Sequence, residues 1–177
     1  RNISVSTNAH ALETLRLMDH YPERDRVREQ IIVALLDNRK HNTYWVDKWH
    51  ASPYYPTAHV LVALLREPSH IVYACHPTID WLVHTQHRDG SWGFFGGGTR
   101  EETAHALTAL LHYRRVGDID EDVLHRGADY LASRRSDSQS YPELWLAKSI
   151  YTPRDIVESA VLASLILYEE TLGRSVA

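Results

Sequence analysis

The chain has 177 residues, of which 44% are hydrophobic and 24% are charged, and its formal net charge is −4. This length fits one domain, residues 1–177, with a sizeable core, and the mixed charges exclude the concentrated basic face of a nucleic-acid-binding protein. The single cysteine excludes an intrachain disulfide, and no apolar run approaches the roughly 20 residues that cross a bilayer, so we expect a cytoplasmic protein without a transmembrane segment.

The N-terminal half of the sequence predicts three helices and one loop rich in aromatic rings. Capping residues at its start indicate a helix near 8–20, which Pro22 ends. A second helix with one apolar face follows near 23–39, and a third begins in the turn that holds Pro56, because proline fits the first helical turn. Residues 40–53 carry rings without a helical period, which predicts an ordered loop packed on these helices.

The C-terminal half continues as helices. Further helices are predicted near 77–86, 100–116 and 120–134, with 69–76 left unassigned. The last helix begins after Pro153, and its run 156–167 is apolar almost all round, so we expect it to be buried between other helices. No strand pattern competes, and about seven helices predict an all-α fold.

A glycine-rich aromatic stretch, residues 86–99, joins two of these helices. Its Asp-Gly pair predicts a tight turn, since glycine accepts positive φ without steric cost. It is followed by the spacing of a capping box, in which a threonine hydroxyl and a glutamate three residues later bond reciprocally. One of the adjacent Glu101 and Glu102 is this cap, and we assign it a structural role. We expect this stretch to act as a structural clamp between the two helices. The residues assigned to the clamp are Gln86, Gly90, Trp92, Thr99 and Glu102.

Most aromatic rings fall in the loops rather than on helix faces. The stretches concerned are 44–55, Trp81, 92–95 and 141–151. A single such loop usually serves packing, whereas loops that converge at one end of a helical array form a pocket whose ring faces each stabilise a positive charge by about 0.5–2 kcal/mol. The residues alone leave both interpretations open.

Several motifs carry a family resemblance. Gln86-x-x-Asp89-Gly90-Ser91-Trp92 resembles the glutamine–tryptophan motif of the squalene–hopene cyclase and class II terpene cyclase superfamily. The other motifs are Ser4-Val5-Ser6-Thr7-Asn8-Ala9-His10, Asp47-Lys48-Trp49-His50-x-Ser52-x-Tyr54-Tyr55-x-Thr57-x-His59, Gly98-Thr99-x-Glu101-Glu102-Thr103-Ala104 and Leu144-Trp145-x-Ala147-Lys148-x-x-Tyr151. In order and spacing they are similar to bacterial class II diterpene cyclases of the copalyl and halimadienyl diphosphate synthase kind, and to their drimenyl relatives. The match covers nearly all of the chain but only the C-terminal part of such enzymes.

This resemblance implies a fold and an activity. The fold is a set of helical hairpins that form part of an (α/α)6 barrel, and the reaction is cyclisation of a linear prenyl diphosphate, geranylgeranyl or farnesyl, by alkene protonation with the diphosphate retained. The family's acid is the middle aspartate of an Asp-x-Asp-Asp motif, which is expected upstream of Arg1. The string Asp118-Ile119-Asp120-Glu121-Asp122 is instead interpreted as the first turn of a helix, where carboxylates favour the helix dipole. We therefore expect this chain to be inactive without the remainder of the same polypeptide.

The resemblance also assigns individual residues. His10 is implied as the hydrogen-bond partner of the missing acid, since a partner that stabilises the carboxylate lowers its pKa. Tyr55 is implied as a member of the proton relay. The substrate-binding residues implied are Trp49, Tyr54, Trp145, Lys148, Tyr151 and Lys48. The alternatives are a backbone-bonded His10, core packing of the rings, and lysines in ion pairs with Asp47 or Glu143.

Cofactors, partners and rival functions complete the expectations. The resemblance implies Mg²⁺ with ligands outside this chain, a prenyl diphosphate substrate and a homodimer, and we expect no catalytic zinc. One rival is a zinc-dependent subunit like that of protein prenyltransferases, for which Cys75 is the only cysteine ligand that the chain offers. The other is a non-enzymatic helical interaction module with its rings on the outer surface.

Overall fold

A computed structural model describes residues 3–133 and 142–173 of the chain. The helices are α1 (Val5–Leu15), α2 (Arg24–Asp37), α3 (Tyr54–Leu64), α4 (Ser69–Ala74), α5 (His76–His84), α6 (Arg100–Arg114), α7 (Glu121–Ser133) and α8 (Arg154–Leu172), and a hairpin of β1 (Trp145–Leu146) and β2 (Ile150–Tyr151) precedes α8. The predicted all-α class is confirmed. The predicted helix end at residue 134 and the ring of Tyr141 lie outside the described residues.

The observed helix ends follow from local chemistry. The Ser4 side chain accepts from the Thr7 amide, so α1 begins three residues earlier than predicted, and it ends at Leu15 in a series of turns. The unassigned segment before α5 forms the short helix α4, separated from α5 by Cys75. At the start of α7, the Asp120 carboxylate accepts from the Asp122 amide at 3.0 Å, in agreement with its interpretation as the first turn of a helix.

Two predictions for the C-terminal part were wrong. The helix α8 buries only one stripe, and its opposite side leaves Ile156, Leu162 and Ile166 exposed by 53%, 60% and 48%. The spacing of apolar residues along a helix does not show which of its faces pack against other helices. Among the described residues, α8 packs against α6 and α7. The strands β1 and β2, which pair Trp145 with Tyr151, were also missed. Two residues are too few for strand alternation to show in a sequence.

Four helices form a row in the order α1, α3, α6 and α8, each packed on the next. The helix α2 packs on α1, α5 packs on α6, and α7 packs on α6 and α8. Most side chains of α3 and α6 are buried, which makes these two helices the centre of the core. The loops that carry the rings enter the row at the N-terminal ends of α3 and α6.

Trp92 joins the end of α5 to the start of α6. Its fully buried indole donates to the Leu82 carbonyl at 2.7 Å, and its amide donates to the Thr103 hydroxyl at 3.0 Å. The Gln86 side chain adds a bond to the Val123 carbonyl of α7 at 2.9 Å. These bonds join the glycine-rich stretch to α5, α6 and α7.

Trp45 repeats this arrangement between α2 and α3. Its buried indole donates to the Leu35 carbonyl at 2.6 Å, and its amide donates to the Thr57 hydroxyl at 3.0 Å. The chain therefore contains two copies of one helix–loop–helix unit, in which a tryptophan bonds to the preceding helix and to a threonine of the following one.

The sequence also contains a repeated motif that marks these units, and sequence reasoning did not identify it. The strings Asn8-Ala9-His10-Ala11-Leu12, Thr57-Ala58-His59-Val60-Leu61 and Thr103-Ala104-His105-Ala106-Leu107 share an Ala-His-x-Leu core. They lie in α1, α3 and α6, so the three histidines occupy equivalent positions on three neighbouring helices.

Candidate functional site

Four rings surround Tyr55, which lies in the first turn of α3. His50 stacks on Tyr55 with ring centroids 4.8 Å apart, and Trp145, His59 and His105 meet it edge-on at 5.0, 4.5 and 5.2 Å. His59 lies one turn after Tyr55 on α3, where side chains at i and i+4 share a face. We call these five residues the Tyr55 cluster.

Two more predicted residues extend the cluster at opposite ends. The His10 ring lies 4.7 Å from that of His59, and the Tyr151 ring lies 6.4 Å from that of Trp145. His10 is exposed, and Tyr151 is 40% exposed. The structure thus brings four of the predicted site residues, His10, Tyr55, Trp145 and Tyr151, into one continuous set of rings.

Two imidazoles of the cluster, those of His59 and His105, are held neutral. Burial, with the charges of His10 and His50 as further causes, lowers the pKa of His59 to about 4. Burial, followed by the charges of His59 and His50, lowers the pKa of His105 well below its ordinary value. Because burial and the neighbouring histidines both disfavour the charged form, neither the His59 nor the His105 imidazole is protonated to its cation near neutral pH.

The Tyr55 phenol is held protonated. Burial, followed by the negative charges of Asp47 and Glu101, raises its pKa above the usual value. A phenol in this state donates a hydrogen bond but does not act as an anion. The cluster therefore presents the uncharged rings of His59, His105 and Trp145 around a protonated phenol.

Glu101 is a member of this site that sequence reasoning missed. Its carboxylate is buried, and one oxygen accepts from the Trp145 indole at 2.6 Å and faces the His50 imidazole at 3.1 Å. The adjacent Glu102 makes the predicted cap with the Thr99 hydroxyl at 2.8 Å. The available signal was the doubled carboxylate, since one glutamate suffices for a cap.

Trp49 and Lys48 lie at the edge of the site. The Lys48 ammonium sits 4.8 Å from the Trp49 ring centroid, and both side chains are exposed. Asp47, the suggested ion-pair partner, accepts instead from Ser4, Ser6 and the Lys48 backbone amide. Burial opposes the charge of the Asp47 carboxylate, but these bonds outweigh it and lower its pKa.

Lys148 and Tyr54 occupy separate positions. Lys148 is exposed in the turn of the β1–β2 hairpin. Tyr54 points away from the Tyr55 cluster, because neighbouring helical residues face different directions, and it stacks on Trp81 at 4.9 Å. Burial is the main cause that raises the pKa of Tyr54 to about 12.

The carboxylates of the described segments do not form a metal site. Within residues 3–133 and 142–173, no group of three or more His, Cys, Asp or Glu side chains could hold a metal ion. The buried carboxylates Glu67, Glu101 and Glu102 each accept hydrogen bonds from protein donors instead. These residues do not fit a magnesium ion, and no step of the chemistry below passes through one.

Cys75 offers little to a zinc ion. Its thiol is buried, lies 3.4 Å from the Ile71 carbonyl, and has a pKa that burial raises to about 11. Zinc binds the thiolate, which such a pKa disfavours. As for membranes, none of the helices in the described part of the chain has the length and apolar character needed to cross one.

Comparison with known proteins decides the family. The family model of the squalene–hopene cyclase C-terminal domain matches residues 2–156. The chain belongs to this family. Its resemblance to copalyl diphosphate synthase-like cyclases is confirmed by relatives and by a solved structure.

Among the relatives of this cyclase-family chain is a type B diterpene cyclase of Mycobacterium tuberculosis, 35% identical over 95% of the chain and 33% of the relative. A copalyl diphosphate synthase of Streptomyces anulatus is 37% identical over 91% of the chain and 30% of the relative. The chain thus spans about a third of the length of the curated relatives that it matches.

The solved ent-copalyl diphosphate synthase from Streptomyces platensis matches with a TM-score of 0.85 and 39% identity, over 95% of this chain and 34% of that one. This match confirms the predicted fold class of helical hairpins that form part of an (α/α)6 barrel. It also favours the cyclase interpretation over the two rivals.

Proposed function

We propose that this chain is the C-terminal part of the β domain of a class II terpene cyclase. The enzyme would protonate an alkene of linear geranylgeranyl or farnesyl diphosphate and cyclise it with the diphosphate retained. Membership of the cyclase family supports this proposal, and so do the names of the relatives. The observation that carries it is the continuous set of rings from His10 to Tyr151.

The rings suit a reaction that passes through carbocations. Protonating an alkene leaves a positive charge that moves along the substrate, and aromatic faces attract such a charge by about 0.5–2 kcal/mol each. The faces that we assign to this task belong to Trp49, Trp145 and Tyr151, of which Trp49 is 45% exposed. Uncharged neighbours matter equally, since a charged imidazole beside the pocket would repel the carbocation.

His10 is assigned as the partner of an acid supplied by the remainder of the polypeptide. A hydrogen bond from an imidazole to a carboxylate stabilises the ionised form and so strengthens the acid. His10 fits this role because its exposed ring leaves room for such a partner while its packing on His59 fixes its direction. Tyr55, as a protonated phenol in contact with His59, is assigned to the path that returns a proton to the acid.

The remaining assignments complete the proposal. Lys48 and Lys148 are assigned to the diphosphate, as compact positive charges on exposed side chains. Any Mg²⁺ ligands are assigned to the remainder of the polypeptide. A homodimer and a cytoplasmic location stay predictions.

The test compares the full-length polypeptide with the 177-residue chain. Each is incubated with geranylgeranyl and with farnesyl diphosphate, and the products are identified by mass spectrometry before and after dephosphorylation. We expect a cyclised diphosphate from the full-length polypeptide and none from the chain alone. Product from the chain alone would contradict the assignment of the acid to another segment, and no product from either would overturn the proposed function.

A further inference from the structure

We propose that Glu101 is a positioning residue of this site, which holds Trp145 and His50 against Tyr55 and thereby determines which ring product forms. The inference rests on the proposed function and adds to it a residue whose role is the control of product choice.

The burial of the Glu101 carboxylate is explained mainly by its hydrogen bonds to Trp145 and His50. Glu101 is 3% exposed, although it lies in the first turn of α6, where a glutamate interacts favourably with the helix dipole even from the surface. Burying a carboxylate is costly unless it is hydrogen-bonded. The cap of the helix does not need it, because Glu102 performs that task.

The two donors come from segments that are far apart in the sequence. The Trp145 indole on β1 donates to one carboxylate oxygen at 2.6 Å, and the imidazole of His50, in the loop before α3, lies 3.1 Å from the same oxygen. The two segments are also joined by backbone bonds, from Ala51 to Leu144 at 2.7 Å and from Leu146 to Trp49 at 3.0 Å. Glu101 therefore fastens both segments to the start of α6.

The bond to Glu101 fixes the plane of the His50 ring. A carboxylate only accepts, so Nε2 of His50 donates to it, while Nδ1 lies 3.0 Å from the Ser52 carbonyl oxygen and 3.2 Å from the Ser52 amide. With both nitrogens engaged, the imidazole keeps its stacked position on Tyr55, at an interplanar angle of 17°. Rotation of His50 would break both bonds.

The bond to Trp145 fixes the position of the indole, the second ring that Glu101 holds against Tyr55. Its ring lies 5.0 Å from that of Tyr55 at 63° and 5.4 Å from that of His50 at 80°. The direction of a ring face decides where along a substrate a positive charge is stabilised. An indole that keeps only a weaker, uncharged acceptor, as in Glu101→Gln, can take more than one orientation, so the carbocation ends at more than one position.

The test uses the full-length polypeptide with geranylgeranyl and farnesyl diphosphate. We expect Glu101→Gln to raise the ratio of by-products to main product about tenfold and to lower kcat about tenfold with KM changed less than about twofold, because the affected contacts act after binding. The matched control is Glu102→Gln, a buried carboxylate of the same helical turn, which should lower the melting temperature and leave the product ratio unchanged. Circular dichroism checks that each variant folds.

Two further measurements keep the inference testable if Glu101→Gln does not fold. Trp145→Phe keeps a ring but removes the indole donor, and it should produce the same change of product ratio. In protein labelled with ¹⁵N-tryptophan, the Trp145 indole proton, assigned by its loss in Trp145→Phe, should move upfield in Glu101→Gln and stay in place in Glu102→Gln.

The outcomes separate the two proposals. A wild-type enzyme that cyclises its substrate, with an unchanged product ratio in both Glu101→Gln and Trp145→Phe, would overturn the role of Glu101 and leave the proposed function standing. A wild-type enzyme that makes no cyclised product would overturn the proposed function, and the role of Glu101 in product choice with it.

Discussion

At the scale of single residues, the equivalent histidines of α1, α3 and α6 define the electrostatics of the site. His59 lies between the other two, with ring centroids 4.7 Å from His10 and 5.8 Å from His105. The His59 ring also contacts the Tyr55 ring, and the charge of His50 contributes to lowering the pKa of His59. Burial, together with the charges of His10 and His50, makes protonation of His59 unfavourable, so the folded state excludes a proton that the unfolded chain binds.

This exclusion predicts a pH dependence of stability. Because the pKa of His59 falls from 6.5 in the unfolded chain to about 4 in the folded one, the unfolded chain binds more protons between these values. The free energy of unfolding should therefore fall as the pH is lowered through this range, with a share from His59 on the order of 2 kcal/mol. His105 acts in the same direction.

Urea unfolding at several pH values between 4 and 7 tests this dependence, a range that covers the two pKa values of His59. We expect His59→Gln to flatten the decline and His20→Gln, a change at an exposed histidine, to leave it as in the wild type. Equal slopes for the wild type and His59→Gln would show that this ring is not the source.

Gly90 lies at a position where the backbone conformation and the neighbouring atoms tolerate only glycine. Its φ is +87°, and a Cβ there would lie 2.2 Å from the Arg126 carbonyl oxygen. We expect Gly90→Ala to lower the free energy of unfolding by about 2–3 kcal/mol, through strain and displacement of α7. Gly97→Ala, where a Cβ meets nothing within 4 Å, should change it by less than about 0.5 kcal/mol. Similar losses in thermal unfolding of the two variants would contradict this account.

At the scale of elements, most of the features that were predicted are local, and the features of the site that were missed are long-range. The turn at Gly90 and the cap at Thr99 were predicted because glycine and the Thr-x-x-Glu spacing act within a few residues. The Tyr55 cluster could not be assembled from periodicity, since Trp145 reaches Tyr55 across ninety positions of sequence. The burial of α8 was overestimated for a related reason, because the sequence shows which residues are apolar but not which neighbours they meet.

The repeated helix–loop–helix unit predicts equal effects at equivalent positions. Thr57 and Thr103 each use a buried hydroxyl to accept the amide of a buried tryptophan. Replacing either with valine leaves that amide without an acceptor, so we expect Thr57→Val and Thr103→Val each to destabilise the chain by about 1–2 kcal/mol.

The control for these variants is Thr171→Val in α8. The Thr171 hydroxyl is buried without a hydrogen-bond partner among the described residues, so its loss should be neutral or stabilising. Chemical denaturation of the three variants decides the matter. Losses at Thr57 and Thr103 that differ by more than about 1.5 kcal/mol would show that the two units are not energetically equivalent.

At the scale of the whole molecule, a row of four helices brings one end of three repeated helices together with a β-hairpin. The Tyr55 cluster lies where they meet, with the imidazoles of His59 and His105 neutral and with the adjoining His10 and Tyr151 accessible. The family model and the fold match place the chain in the squalene–hopene cyclase family. The proposed mechanism adds an acid next to His10, supplied by the remainder of the polypeptide.

The measurement that tests this mechanism most directly is the mass of the product formed in D₂O. The full-length polypeptide is incubated there with whichever of geranylgeranyl and farnesyl diphosphate it converts, and the product is analysed intact. Protonation by an exchangeable acid predicts a cyclised product that carries one deuterium on carbon and still holds its diphosphate. A cyclised product without deuterium, or one that has lost the diphosphate, would contradict the mechanism.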